Sequence, residues 1–304
     1  MAVTAASLPV LGHRFDVMGS AAEVTLVGGD AEALSAAVAR LHQLDRRWSR
    51  FRSDSEIARI NADAGRPVPV SPETVLLVDL ARQGWRRTGG RYDPTLLAAV
   101  RRAGYTDDFA RLAAVAAPPP AEAADHDPGT CGRIIIDEGA GTVELPDRSG
   151  FDPGGIGKGL AADLVSADLA TRGIPGGCVN IGGDLRLWGP GPRGDRWRVS
   201  AADRTISVTD AGVATSGTGR RTWVVAGRRM HHLIDPTTLD PANTGVTAVT
   251  VIAPAAWQAE VYALAALLSG PARACADLRR WGVDGLVVQD CGRVRASRRL
   301  RRRP

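Results

Sequence analysis

The pattern of apolar and polar residues predicts well-separated helices and strands in the first third of the chain. Residues 23–27 alternate between apolar and polar side chains, which is typical of a half-buried strand. The next segment, 31–47, places apolar residues at helical spacing, and Asp30 before it is a preferred N-cap residue. A second helix is predicted over 72–88, because Pro72 suits a first helical turn and Gly89-Gly90 ends the pattern.

The rest of the chain mixes short strands with two further helices. One helix follows a glycine-rich stretch and ends at Gly173, and another covers 256–269. The predicted short strands cover 133–137, 142–145, 178–189, 196–201, 205–209, 247–253 and 285–288, the last paired with Val294. Helices and hairpins do not alternate regularly, so we predict an α+β fold of mixed, largely antiparallel sheets flanked by helices.

The domain organisation follows from two stretches of biased composition. The segment PPPAEAADHDPG, residues 118–129, has the composition of a surface loop or linker. We therefore expect residues 1–297 to form a single unit, or two lobes joined near 117–130. Residues 298–304 contain five arginines and are predicted to be a basic, disordered tail.

Charge and composition exclude several classes of protein. Apolar residues make up 44% of the 304 residues and charged residues 23%, which excludes global disorder. The net charge of +5 equals the tail's five arginines, so the body is near neutral and carries no basic stripe with interleaved aromatic residues. A nucleic-acid contact through the tail is the alternative to a solvated tail, and we expect no nucleic-acid partner.

The remaining composition indicates a cytoplasmic protein. The four cysteines lie far apart, without the spacing of a zinc site or a disulfide framework. The first fifteen residues lack a basic n-region, a long apolar run and a lipidation cysteine, and no apolar stretch is long enough to span a membrane.

The stretch FDPGGIGKGLAADL, residues 151–164, carries the strongest chemical signal. Lys158 within it is the only lysine in the chain. The stretch matches neither a Walker A loop nor a GxGxxG dinucleotide fingerprint, because Asp152 and Leu160 stand where those patterns need glycine. Glycines that admit an anion, a helix start and one lysine still suit a phosphate. The alternative is a structural turn that needs positive φ angles.

Three later stretches offer further candidate groups. Asp184 in the turn NIGGD orients a ligand or caps its own turn. His232 and Asp235 lie three residues apart, which suits a general base with an orienting carboxylate, a ligand-gripping turn, or a histidine satisfied by its surroundings. Glu260 lies among apolar residues of a helix, so it is paired, solvated, metal-bound or exposed.

Taken in order, these stretches resemble the FAD:protein FMN transferases, the ApbE-type flavin transferases, from about Arg14 to Val288. The segments that carry the resemblance are Met18-Gly19-Ser20, residues 50–65 with Ser55 and Asn61, Gly89–Thr95 with its DPT turn, Phe151–Asp163 for DxGGIAKGxAxD, Val179–Asp184 for VNxGGD, Ala214–Gly217 for ATSG and His232–Pro236 for HxIDP. Their shared order along the chain makes the resemblance specific.

The resemblance implies a phosphoryl transfer from FAD. In such enzymes a Ser or Thr hydroxyl of an acceptor protein attacks the phosphorus on the riboflavin side of the pyrophosphate. AMP leaves, and FMN stays on the acceptor through a phosphodiester. A divalent cation, usually Mg²⁺, assists, and the acceptors are flavinylated subunits of redox complexes or reductases.

The resemblance also implies which residues bind and react. Lys158 and His232 are the candidate catalytic residues, with Asp235 orienting His232 or its turn. The implied FAD contacts are Met18, Gly19, Ser20, Asn61, Tyr92, Asp93, Asp152, Gly154, Gly155, Lys158, Gly183, Asp184, Ser216 and His232.

One departure from the family pattern concerns the metal. The implied ligands are the Gly157 carbonyl and Glu260, whereas Leu264 stands where the family has a threonine. Because leucine offers no oxygen, we expect a weaker or reshaped Mg²⁺ site. The alternative functions are an FAD-binding protein that no longer transfers FMN and an FAD pyrophosphatase.

Overall fold

The structure is a computed structural model that describes residues 8–109, 112, 129–194, 196–297 and 300. Its helices are α1 (Ala31–Trp48), α2 (Glu56–Ala62), α3 (Pro72–Thr88), α4 (Leu97–Arg102), α5 (Gly157–Thr171), α6 (Ala256–Leu268) and α7 (Gly270–Arg280). Its strands are β1 (Val10–Val17), β2 (Ser20–Val27), β3 (Pro67–Pro69), β4 (Ile135–Asp137), β5 (Thr142–Glu144), β6 (Gly176–Ile181), β7 (Asp184–Trp188), β8 (Trp197–Ala201), β9 (Arg204–Val208), β10 (Ala211–Gly217), β11 (Thr222–Val225), β12 (Arg228–His231), β13 (Val246–Ala253), β14 (Asp284–Gln289) and β15 (Val294–Ala296).

A large antiparallel sheet is the centre of the fold. Within the described ranges it has eight strands in the order β1-β2-β6-β7-β10-β13-β14-β15. Every neighbouring pair in it is antiparallel. The predicted α+β class with largely antiparallel sheets is therefore confirmed.

Helices cover one face of this sheet and form the main core. Helices α5 and α6 pack against each other and against the central strands β6, β7, β10 and β13. The strand β13 contributes Val249 and Val251 to this core, and α5 contributes Leu160 and Val165. Burying these apolar side chains fixes the start of α5 beside the first turns of α6, where Lys158 and Glu260 lie.

The opposite face of the sheet is covered by the β8–β9 hairpin. Trp197 and Ile206 of that hairpin pack on Leu187 and Val213 of the sheet. Leu300 joins this second cluster and is 9% exposed. The arginines of the predicted tail lie outside the described residues, as does the predicted linker up to residue 128, so both stay predictions.

The predicted elements lie where the apolar pattern placed them. Asp30 caps α1 by accepting from the Ala33 amide at 2.8 Å, and α3 ends at Gly89 in the left-handed conformation with φ of 63°. The pattern did not predict α7, because this helix is rich in Arg and Ala and buries only Ala274 and Leu278. It also missed β1, whose residues are mostly exposed on the edge of the sheet. The short helices α2 and α4 and the strands β3, β10, β11 and β12 were not predicted either.

Candidate functional site

A cavity of about 450 Å³ opens between the start of α5, the turn of the β1–β2 hairpin and the end of β10. It brings together residues from eight segments that are distant in sequence. The implied site residues that line it are Met18, Gly19, Ser20, Tyr92, Asp93, Asp152, Gly154, Gly155, Gly157, Lys158, Asp184, Ser216, His232 and Glu260. Asn61, Gly183 and Asp235 do not line it.

The glycines that lead into α5 serve close packing rather than unusual backbone angles. Gly154, Gly155, Gly157 and Gly159 all have ordinary φ angles, so the alternative of a turn that needs positive φ is wrong. A Cβ on Gly155 would lie 3.0 Å from both Leu264 and Tyr92, and a Cβ on Gly159 would lie 2.5 Å from the Ala256 carbonyl. Only glycine therefore lets the start of α5 approach α6 this closely.

Lys158 holds the centre of the site through two carboxylates. Its Nζ donates to Asp184 Oδ2 and to Glu260 Oε1. Glu260 Oε2 accepts from the Gly159 amide at 2.8 Å, so this carboxylate also caps the start of α5. Asp184 and Glu260 are therefore both paired with Lys158.

The opposite charges of this cluster offset the effect of burial on each other's pKa. Burial by itself would lower the pKa of Lys158, but Asp184 and Glu260 outweigh it and raise that pKa, so the amine stays an ammonium. Burial raises the pKa of Glu260, and Lys158 opposes that rise. The cluster holds two carboxylates against one ammonium, so loss of Lys158 would leave two nearly buried carboxylates without a counter-charge.

His232 is a neutral, partly buried histidine in the same cavity. Burial, together with the positive charges of Arg221 and Lys158, lowers its pKa to about 3. Its Nδ1 is buried and has no hydrogen-bond partner within the part of the chain that the structure describes. The ring therefore presents one unpaired nitrogen that can accept a proton.

Asp235 orients its own turn rather than His232. Its Oδ1 accepts from the Thr237 amide at 2.8 Å and from the Thr237 hydroxyl at 2.6 Å. This is the pattern of an Asx turn, in which the side chain replaces a backbone acceptor. Asp235 therefore bonds the turn that follows His232 and not the His232 ring.

Asn61 and Gly183 act from behind the cavity. The Asn61 amide bonds both backbone groups of Phe151, the residue at the head of the glycine-rich stretch. Gly183 lies in the β6–β7 turn, where its amide donates to Asn180 Oδ1 at 3.0 Å. Both residues hold segments that line the cavity, and neither Asn61 nor Gly183 lines the cavity itself.

The remaining implied residues line the cavity at the turns that flank it. Met18 has a positive φ of 52° in the two-residue turn that joins β1 to β2, a conformation rare for a non-glycine residue. Ser20 Oγ accepts from Arg221 at 2.7 Å. Asp93 Oδ1 accepts from the Thr95 amide at 2.8 Å. This bond stabilises the DPT turn, which directly follows Tyr92.

The arginines of the cavity were missed by the sequence analysis. Arg50, Arg91, Arg220 and Arg221 all line it. They escaped attention because arginine is frequent throughout this chain, so its presence in a segment carries little information. The position of Arg50 directly after the apolar face of α1, which ends at the buried Trp48, was the one available signal.

Unpaired buried polar atoms concentrate in this cavity. Arg50 Nη2, Tyr92 Oη and His232 Nδ1 are buried and lack a hydrogen-bond partner within the described ranges. Buried polar groups are nearly always paired, so three such atoms around one cavity indicate a polar ligand that completes them.

The residues present fit a resident magnesium site poorly. Both oxygens of Glu260 already accept hydrogen bonds, from Lys158 and from the Gly159 amide. Leu264 fills the position one helical turn later with a methyl group packed at Gly155. No group of three or more His, Cys, Asp or Glu side chains suited to a metal occurs within the described residues. Mg²⁺ needs oxygen ligands, and the Lys158 ammonium already engages one oxygen of Asp184 and one of Glu260.

Comparison with known proteins agrees with this architecture. The sequence model of the ApbE family matches residues 18–287. The FAD:protein FMN transferase of Klebsiella pneumoniae (strain 342) is 31% identical over 291 residues, which cover 89% of this chain and 82% of that protein. The FAD:protein FMN transferase of Treponema pallidum (strain Nichols) is 32% identical over 292 residues, which cover 87% of this chain and 79% of that protein.

Solved structures extend the similarity to the fold. The ApbE protein from Thermotoga maritima MSB8 superposes with a TM-score of 0.85 at 26% identity, covering 96% of this chain and 98% of that one. The apo form of the Pseudomonas stutzeri flavinyl transferase ApbE superposes with a TM-score of 0.83 at 26% identity, covering 98% and 99%. The similarity therefore includes the helices and strands that build the cavity.

Proposed function

This chain belongs to the ApbE family, and from that premise we propose that it transfers the FMN moiety of FAD to a Ser or Thr hydroxyl of an acceptor protein. The hydroxyl oxygen forms a new bond to the phosphorus on the riboflavin side of the pyrophosphate. The bond from that phosphorus to the bridging oxygen breaks, and AMP leaves with the bridging oxygen. The product is a phosphodiester between FMN and the acceptor.

The observation that carries this proposal is the cluster of Lys158, Asp184 and Glu260 beside unpaired polar atoms in one cavity. The ammonium of Lys158 and the start of α5 supply positive charge that suits a pyrophosphate. Phosphoryl transfer depends mainly on positioning and on electrostatic stabilisation of the phosphoryl oxygens. Lys158 Nζ has three N–H groups and uses two of them on its carboxylate partners, so the third can donate to a phosphoryl oxygen.

His232 is the residue that we assign to accept the proton of the acceptor hydroxyl. It is neutral at physiological pH and its Nδ1 is unpaired within the described residues, which are the two properties that a general base needs. Arg221 and Lys158 lower its pKa through their positive charge. A bound pyrophosphate offsets that charge and thereby raises the pKa of His232 toward the range of an effective base.

Magnesium enters this proposal only as the ion that the resemblance implied. Because Glu260 is engaged on both oxygens and Leu264 offers none, we derive no step through a metal at this site. We assign the resident positive charge facing the phosphates to Lys158 instead. Within the described residues, no helix is long and apolar enough to cross a bilayer, and a cytoplasmic setting remains part of the proposal.

Incubation with FAD and a Ser- or Thr-containing acceptor domain tests the proposal. We expect covalent flavin fluorescence on the acceptor in a denaturing gel, and AMP in equal amount by chromatography. AMP with free FMN in the absence of acceptor would identify a pyrophosphatase instead. Tight FAD binding without either product, across several acceptors, would identify a flavin-binding protein that does not transfer.

A further inference from the structure

Arg50 lines the cavity beside Asp152, the second residue of the glycine-rich stretch. It directly follows the segment that ends α1, and it lines the cavity together with Phe51, Leu96 and Tyr105. Its side chain is only 6% exposed. A guanidinium is costly to bury unless its charge and its N–H groups find partners, so its environment identifies what it is built to bind.

Protein groups satisfy the guanidinium on all but one edge. Nη1 donates to the Tyr105 carbonyl at 3.0 Å, and Nε lies 3.5 Å from Asp152 Oδ2. Two aromatic rings also contact the guanidinium, whose Cζ lies 4.1 Å from the centroid of the Phe51 ring and 4.4 Å from that of Tyr105. Nη2 is buried and has no hydrogen-bond partner within the described ranges.

Charged side chains of both signs surround Arg50. Arg101 interacts electrostatically with both Arg50 and Asp152. Arg221 and Asp108 act, like Arg50 and Asp152, on the nearby hydroxyl of Tyr105. Because Asp152 lies beside Nε, the unpaired Nη2 is the part of the guanidinium left for a ligand atom with an accepting lone pair.

We propose that Arg50 is a ligand-binding residue of this cavity, whose Nη2 donates to an acceptor atom of bound FAD. The stacked aromatic rings and the bond to Tyr105 hold the guanidinium in place before the ligand arrives. The acceptor is a phosphoryl oxygen or a ring carbonyl or ring nitrogen, in either the AMP half or the FMN half of FAD. This assignment rests on the proposed function, because it takes FAD as the ligand.

Titration of the full chain with FAD, FMN and AMP, followed by calorimetry, tests the assignment. In Arg50→Met we expect the dissociation constant for FAD to rise at least about tenfold, since a charge-assisted hydrogen bond to a buried group is lost. The dissociation constant should also rise for AMP or for FMN, whichever contains the acceptor atom that Arg50 binds. Arg52→Met is the matched control, because Arg52 is 46% exposed and pairs with the exposed Asp54.

Two outcomes would overturn the assignment. If Arg50→Met folds and its dissociation constant for FAD stays within about twofold of the unaltered chain, Arg50 does not bind the ligand while the proposed function stands. If the unaltered chain binds no FAD, the assignment and the proposed function both fail. Should Arg50→Met not fold, Arg50→Lys decides, because it keeps the charge beside Asp152 but loses the planar fork, and an unchanged affinity would again reject the assignment.

Discussion

Asn61 and Phe151 are joined by two hydrogen bonds across 90 residues of sequence. Asn61 Nδ2 donates to the Phe151 carbonyl at 2.9 Å, and the Phe151 amide donates to Asn61 Oδ1 at 2.6 Å. The side-chain amide thus pairs with the N–H and the C=O of one residue, as a neighbouring strand does in a sheet. Helix α2, which Ser55 caps at the Ala58 amide, thereby fixes the start of the glycine-rich stretch.

We expect Asn61→Ala to destabilise the protein by about 2 kcal/mol, because it leaves both backbone groups of Phe151 without their partner. It should also weaken FAD binding, since the displaced stretch leads directly to Lys158. Chemical unfolding and FAD titration measure the two effects. Asn243→Ala, at an exposed position, should change neither. An Asn61→Ala variant with unchanged stability would show that the two bonds contribute nothing in solution.

Removing the ammonium of Lys158 should destabilise the protein and weaken FAD binding together. Lys158→Met leaves two nearly buried carboxylates facing each other, and breaking such a cluster costs about 3–5 kcal/mol. Adding Glu260→Gln should recover part of the stability, because it removes one of the two unbalanced charges, but should not recover the FAD affinity. Urea unfolding and FAD titration of both variants separate folding from binding. A folded Lys158→Met variant with unaltered FAD affinity would contradict the assigned role.

Affinity for FAD should not depend on a divalent metal in this chain. The dissociation constant is expected to be the same with Mg²⁺ and with EDTA, because Glu260 is engaged and Leu264 provides no oxygen. The double variant Glu260→Asp with Leu264→Thr should gain a dependence on Mg²⁺. Leu268→Thr, one helical turn further along α6, provides the control. Loss of FAD binding on adding EDTA to the unaltered chain would disprove the metal-independent site.

His232 should make the protein sensitive to mild acid. Burial lowers its pKa in the folded protein to about 3, whereas the ordinary value in an unfolded chain is 6.5. As the pH falls, His232 is therefore protonated in the unfolded chain before it is protonated in the folded protein. The stability contributed by the neutral ring is present above pH 6.5 and is lost as the pH falls toward 3. Between pH 7 and pH 5 the loss amounts to up to about 2 kcal/mol.

Unfolding by urea at pH 7 and at pH 5 measures this effect. His232→Gln should lose less stability than the unaltered chain over the same interval, because its amide does not titrate. Other groups contribute equally to both proteins, so the difference between them reports His232. Equal losses in the two proteins would show that His232 is not held neutral by the fold.

Local patterns in the sequence were sufficient for most elements and for the main residues of the site. The amphipathic period of α1 and α3, their caps, and the alternating strands of the hairpins are determined over a few neighbouring residues, which is why they could be predicted. The ordered turns around Met18, Asp93, Lys158, Asp184 and His232 likewise identified the family. These turns line one cavity in the structure.

Only the tertiary structure decided what those residues do to one another. Lys158 bonds Glu260 across 102 residues and Asp184 across 26, and neither pairing leaves a mark on local sequence spacing. The same holds for Arg50, whose stacking and unpaired nitrogen depend on Tyr105 and Asp152. The sequence by itself therefore determined the elements and the family, because these depend on local periodicity and on ordered motifs. The partner of each buried charge was decided by packing between distant segments, which brings together groups that the chain separates.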